Sequence, residues 1–205
     1  MTATGTLYII SAPSGAGKTS LVKKLLETVS GVEISISHTT RPRRTGEQDG
    51  VDYYFVEPAT FQVLVQEGMF LEHARVFDYD YGTSRHAVSE RLRSGVDVIL
   101  EIDWQGARQV RSQILAVRTI FILPPSRETL RQRLQHRGQD DEAVIERRMR
   151  AAISEISHCH EFDYIVINDD FDRALEALRA IVIANRHRRE LQLQCQPELL
   201  QALLS

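Results

Sequence analysis

Leu7-Tyr8-Ile9-Ile10-Ser11-Ala12-Pro13-Ser14-Gly15-Ala16-Gly17-Lys18-Thr19 is the stretch on which the fold turns. Its first four residues form a short apolar run bounded by turn formers, the pattern of a strand buried on both faces. Small residues follow from Ala12 to Gly17, and from Lys18 onward Leu21, Val22, Leu25, Leu26 and Val29 recur at helical spacing. Strand, small-residue loop and helix in this order make a phosphate cradle. Backbone N–H groups close around anionic oxygens, and the helix N-terminus adds partial positive charge. The pattern of glycine, four residues and Gly-Lys-Ser/Thr is complete except at its first position, where Ala12 needs only an allowed backbone angle. In such a loop the lysine reaches the β- and γ-phosphates and the hydroxyl after it ligates Mg²⁺. Ser11, Ala12, Pro13, Ser14, Gly15, Ala16, Gly17, Lys18, Thr19 and Ser20 are therefore the candidate ATP-binding residues, with Thr19 on Mg²⁺.

The same alternation returns downstream. Residues 96–102 read as a strand and Trp104 to Gln113 as a short helix. Thr119 to Leu123 read as a buried strand ended by Pro124-Pro125, with Ser126 as the N-cap of the next helix. Tyr164 to Ile167 form a further strand, and Asp169/Asp170 open a helix running to about Glu190. Strands alternating with helices predict an α/β fold, a nucleotide-binding core whose parallel sheet is flanked by helices. Residues 33–88 break the rhythm, with strand-like Ile34–Ser37, Tyr53–Val56 and Phe70–Val76 around a helix near Thr60–Glu67. They predict a small α+β subdomain inserted between core segments 1–32 and 89–205. A charged, glycine-containing stretch at about 136–148 predicts a lid.

Two acids end the second core strand. Glu101-Ile102-Asp103 suits the metal-holding carboxylate of such sheets, acting directly or through water; the competing reading is an acid that caps the next helix.

With 205 residues, a net charge of −3 and 26% charged residues, the chain has the size and composition of one globular domain and lacks the basic excess of a nucleic-acid binder. Its apolar runs are too short to span a membrane, and no basic leader precedes residue 7, so a cytoplasmic location is expected. Cys159 and Cys195 read as free thiols. A homo-oligomer is allowed.

The donor loop does not identify the acceptor. Thr39-Thr40-Arg41-Pro42-Arg43-Arg44-Thr45-Gly46-Glu47-Gln48-Asp49-Gly50-Val51-Asp52-Tyr53-Tyr54-Phe55-Val56 closely resembles the signature of guanylate kinases. Ser11 to Lys18, Asp103-Trp104-Gln105-Gly106, Phe121 to Ser126 and Asn168-Asp169-Asp170 are similar to the bacterial branch of that family, and the resemblance covers roughly residues 6 to 190. It implies ATP-dependent phosphorylation of GMP, and of dGMP, with Mg²⁺. The inserted segment then becomes the GMP-binding subdomain. It implies that Arg41 and Arg44, with Tyr53 and Tyr81, grip the GMP phosphate, a role that forked guanidinium donors suit. It implies that Glu72 reads guanine, and a carboxylate does accept from N1–H and N2–H₂ together. Ser37 and Thr83 would donate to the base. Glu101 and Asp103 fall at family positions near GMP; whether Asp103 meets the base edge or the metal shell stays open. Arg133, Arg137 and Arg148 match lid arginines. Arg133 and Arg137 would meet ATP, while Arg137 and Arg148 would close over the transferring group beside Lys18, Arg41 and Arg44.

This chain departs from the family pattern in places. Glu101 stands where Asp is commoner, Thr83 where some members have Ser, and Tyr79-Asp80-Tyr81 where Asn-Tyr-Tyr is usual. His38 reads as a surface histidine. Two other readings remain: a P-loop kinase of a small sugar phosphate such as ribose bisphosphate, and a non-catalytic binding module. Glu72 with Ser37 argues against the first, and intact Lys18 and Thr19 against the second.

Overall fold

The computed structural model describes residues 4–76, 78–136 and 142–205. In chain order the elements are β1 (Leu7–Ser11), α1 (Lys18–Thr28), β2 (Val32–Ile34), β3 (His38–Thr39), β4 (Tyr54–Phe55), α2 (Pro58–Gln66), β5 (Phe70–Val76), β6 (Tyr79–Ser84) and α3 (Arg85–Arg93). Then follow β7 (Asp97–Leu100), α4 (Trp104–Gln113), β8 (Arg118–Leu123), α5 (Arg127–His136), α6 (Glu142–Ile156), β9 (Tyr164–Ile167), α7 (Phe171–Arg186), α8 (Arg189–Cys195) and α9 (Pro197–Leu204).

Five strands form an all-parallel sheet in the order β2-β7-β1-β8-β9. The apolar run of β1 is continuous because helices cover both of its faces. Tyr8 and Ile10 pack with Leu21, Leu25, Leu178 and Val182 of α1 and α7, while Leu7 and Ile9 pack with Val88, Ala107 and Val110 of α3 and α4. Alternate side chains of a strand leave opposite faces, so one strand feeds two cores. A third cluster, Leu130, Leu134, Ile145, Met149 and Ala152, joins α5 to α6.

The second sheet has the order β4-β3-β6-β5, with β6 antiparallel to both β3 and β5 and β4 parallel to β3. It carries the arginine-rich segment and Glu72. A register shift between Phe70 and Glu72 marks a bulge, a device that re-aims side chains.

Trp104–Gln113, Phe70–Val76 and Tyr164–Ile167 coincide with the elements read from sequence, and Ser126 Oγ caps α5 by accepting from Thr129 N at 3.0 Å. Other elements differ. Val32–Ile34 pairs with β7 in the core sheet, so residues 33 and 34 lie with the core strands, and 35–37 are not strand. Strand at 96–102 contracts to Asp97–Leu100, since Asp103 is already the cap of α4. Strand at 53–56 contracts to Tyr54–Phe55, and α2 starts earlier because Pro58 supplies a helix-ready φ at its first turn. The closing helix stops at Arg186, and Arg189–Cys195 is a separate element.

Candidate active site

β1 delivers the small-residue loop at its C-terminal end, where ligands of parallel sheets collect. Gly15 and Gly17 adopt φ of 90° and 93°, angles that L side chains rarely take, and Ala16 N donates to Pro13 O at 3.1 Å to close the turn. Leu130 and Leu134 abut Gly15, so the third core cluster supports the loop from behind. Asn168 Nδ2 donates to Ala16 O at 2.7 Å, and Arg133 donates to Ala16 O at 3.4 Å and Asn168 O at 3.1 Å. Arg133, read from sequence as a lid arginine, thus braces the loop from α5. α1 starts at Lys18 behind Gly17 at its N-cap, with no side-chain cap and no acid in its first turn, which leaves its N–H donors to an anion. Gly17→Ala is expected to lose about 1–2 kcal/mol from the left-handed backbone alone. The added Cβ would also displace Asn168. Thermal unfolding with and without ATP should show both a lower Tm and weaker stabilisation by ATP.

Acids gather beside Lys18. Glu101 Oε1 lies 3.6 Å from Lys18 Nζ and accepts no hydrogen bond from the described residues. Asp103 is the N-cap of α4: its Oδ1 accepts from Gly106 N at 3.0 Å and its Oδ2 from Gln105 Nε2 at 2.8 Å. The capping role left open by sequence is therefore occupied.

Glu155 of α6 was not singled out by sequence, because a lone helical glutamate carries no motif. It faces the loop, accepting from the Ser14 backbone near Lys18 and Asp103. Burial, reinforced by the Asp103 charge, pushes its carboxyl up to about 7. Three residues after Glu155, just past the end of α6, His158 stacks on Trp104 with ring centroids 3.7 Å apart, pinning this end of α6 to α4. Arg148 lies seven residues before Glu155 and shares its helix face. Arg137, and with it part of the lid read at 136–148, lies outside the described residues.

The hydroxyl of exposed Thr19 and the Glu101 oxygen that accepts no hydrogen bond among the described residues suit a hard divalent cation that takes its remaining oxygens from phosphates and water. Among the described residues no group of three or more His, Cys, Asp or Glu forms a dedicated cage.

The second sheet supplies the other half of the site. Arg41 is only 8% exposed, pairs with Glu47 Oε1 at 2.6 Å, donates to Pro42 O at 2.9 Å, and lies 5.4 Å from the Tyr53 ring centroid. Glu47 Oε2 also accepts from Arg44 N at 2.8 Å, so one acid fixes both arginines' segment. Tyr81 is within hydrogen-bonding reach of Arg41 and packs edge-on to Tyr53. Burial, followed by the charges of Tyr81 and Glu101, raises the Tyr53 hydroxyl above its ordinary range. Tyr53 therefore sits between the arginine cluster and the acid that faces Lys18.

Glu72 is 3% exposed and accepts from Thr83 Oγ1 at 2.5 Å. Burial pushes it up to about 7; the Thr83 hydrogen bond opposes this and the Asp103 charge adds to it. Extending the β3–β6 ladder by one residue sets Ser37 opposite Thr83, which is itself opposite Glu72. Ser37, just before β3, thus falls in line with Thr83 of β6 and Glu72 of β5.

Gly106 gives the carboxylate room, since a Cβ there would collide with Glu72 Oε2. Gly106→Ala is expected to shift Glu72 and raise the KM of the acceptor nucleotide roughly tenfold with little change for ATP, as loss of one well-formed polar contact would. Steady-state kinetics in each substrate checks this.

His38, read as a surface residue, is instead half-buried in β3 against Tyr54 and Phe70, with ring centroids at 4.8 and 5.3 Å, and burial lowers its pKa.

A sequence-family model described as guanylate kinase matches residues 4–185. A guanylate kinase of Alkalilimnicola ehrlichii is 60% identical over 200 residues, covering 98% of each chain. One of Saccharophagus degradans is 58% identical over 205 residues, covering 100% of each. The crystal structure of guanylate kinase from Anaplasma phagocytophilum is similar with a TM-score of 0.76 and 34% identity, over 94% of this chain and 95% of that one.

Proposed function

Since the chain belongs to the guanylate kinase family, we propose that it transfers the γ-phosphoryl of ATP to GMP with the β1–α1 loop as donor site and the second sheet as acceptor site. The observation that carries the acceptor reading is Glu72. It is a buried carboxylate with one oxygen on Thr83, set in line with Ser37 and near Asp103 at the start of α4. Two acceptor oxygens match the N1–H and N2–H₂ edge of guanine; adenine, cytosine and uracil lack that pair.

The acceptor phosphate is already anionic, so the transfer needs positioning and charge stabilisation more than a general base. Lys18 and the N–H groups of residues 14–19 hold the β- and γ-oxygens. Arg41, Arg44, Tyr53 and Tyr81 hold the GMP phosphate in line. Arg148, and Arg137 beyond the described residues, add cations at the transferring group. Mg²⁺ bound with ATP would be held by Thr19 and Glu101, with Asp103 reached through water, and it would supply positive charge to the phosphates. Residues 35–88 act as the GMP-binding unit and about 136–148 as the lid. The two free thiols, Cys159 and Cys195, fit the reducing cytoplasm, where ATP and GMP meet in purine metabolism.

A coupled ADP-release assay tests the reading. GMP and dGMP should turn over, and AMP, UMP and CMP should fall at least about 10²-fold lower in kcat/KM. Turnover of a ribose bisphosphate without turnover of GMP would overturn it.

A further inference from the structure

β5 is an edge strand of the second sheet, yet the backbone groups flanking Glu72 are not left to water. Gln109 of α4 uses both ends of its amide on one residue: Oε1 accepts from His73 N at 3.1 Å and Nε2 donates to His73 O at 2.7 Å. Gln113, one turn further along α4, donates to Leu71 O at 2.9 Å and to Gln109 O at 3.0 Å. Arg85 at the start of α3 donates to Phe70 O at 3.1 Å and to Gln113 Oε1 at 2.8 Å. A primary amide carries a donor and an acceptor side by side, so Gln109 pairs with β5 as a neighbouring strand would. The clamp grips Leu71 and His73, the residues on either side of Glu72, and spans the bulge that aims it.

We propose that Gln109 and Gln113 are positioning residues for guanine recognition: they tie the β5 backbone on both sides of Glu72 to α4, so that the carboxylate is held toward the base before GMP arrives. The proposal rests on the reading of Glu72 as the guanine reader. Its physical basis is that, among the described residues, the Glu72 carboxylate is held only at Thr83, by its hydroxyl and its backbone, and a carboxylate on a freely twisting edge strand would meet two guanine donors only part of the time. α4 is the right tether because its N-cap, Asp103, follows directly from β7 of the core sheet and Gly106 lies against Glu72. The base reader is thereby fixed to the core that holds the phosphate loop, while the arginines that grip the acceptor phosphate belong to the far side of the second sheet.

The test is Gln109→Met, which keeps the length of the side chain and removes both hydrogen bonds, assayed with GMP and with IMP, which lacks the 2-amino group. Expected is a loss of about tenfold in kcat/KM for GMP, the scale of two ordinary hydrogen bonds, carried mostly by KM. The loss for IMP should be smaller, so that the GMP/IMP ratio narrows, and the KM for ATP should not move. In a Glu72→Gln background the same change should narrow the ratio no further, because both act through one carboxylate. Gln109→Glu keeps the acceptor for His73 N alone and should fall between wild type and Gln109→Met. Should Gln109→Met not fold, Gln113→Met removes the Leu71 contact and carries the same expected narrowing. Equal losses for GMP and IMP, or an unchanged ratio while Glu72→Gln narrows it, would overturn the positioning role. An unchanged ratio in Glu72→Gln itself would instead remove Glu72 as base reader, and the proposal with it.

Discussion

Replacing Lys18 with Met should lower kcat roughly 10³-fold while leaving the fold intact, the scale seen when one preorganised charge is taken from a transition state. The lysine stem remains to pack beside the loop, whereas the ammonium that meets the β- and γ-oxygens is lost. Glu101, 3.6 Å from Lys18 Nζ, would then face the phosphates without its counter-charge, which deepens the effect. Because the charge matters most as the leaving oxygen becomes anionic, the loss belongs in kcat more than in the KM for ATP. Stopped-time ADP release with circular dichroism of the same sample checks this; a fall of less than tenfold in a folded variant would mean that the β1–α1 loop is not the donor site.

Glu72→Gln should act on both specificity and stability, in directions fixed by its environment. The amide turns one acceptor into a donor aimed at guanine's own donors, so kcat/KM for GMP is expected to fall roughly 10²-fold. The wild-type value should also decline as pH drops from 8 to 6. The carboxyl, raised to about 7 by burial, gains a proton there and loses one acceptor, and this limb should be missing in the variant. Stability runs the other way. The folded pKa lies above the ordinary 4.5, so between those values the folded state binds more protons than the unfolded state, and wild-type stability falls as pH rises through that window. At pH 8 the variant should therefore be more stable than wild type by up to roughly 2–3 kcal/mol, and near pH 4.5 the difference should vanish. Urea unfolding at the two pH values measures it; a gain that does not change with pH would show that burial does not hold this carboxyl up.

Much of the donor half is local chemistry and was legible in the chain. The order strand, small-residue loop, helix depends on hydrophobic spacing and on glycines that reach φ near 90°, and both are properties of neighbouring residues. The motif resemblance likewise marked Arg41, Arg44, Tyr53, Glu72 and Tyr81. Strand edges were less legible: Glu33 and Ile34 looked like the start of the insertion because their partner in the core sheet, β7, is more than sixty residues away.

Other features depended on contacts between distant segments. Glu155 reaches the loop only because α6 packs on α5 and its end is pinned through Trp104 and His158. Arg133 braces the phosphate loop because Asn168 and Ala16 converge on it from distant parts of the chain. The Gln109 and Gln113 clamp has no pattern in sequence, since glutamines on a helix ordinarily face solvent.

The sequence by itself determined the strand–loop–helix order of the phosphate loop and the α/β class, because spacing and side-chain chemistry suffice for those, and the family resemblance marked Glu72 as the candidate base-reading acid. Only the tertiary structure decided that Asp103 caps α4 while Glu101 faces Lys18 at 3.6 Å. It also decided that Glu72 is buried enough to titrate near neutrality, since burial and the proximity of charges are set by residues far apart in the chain.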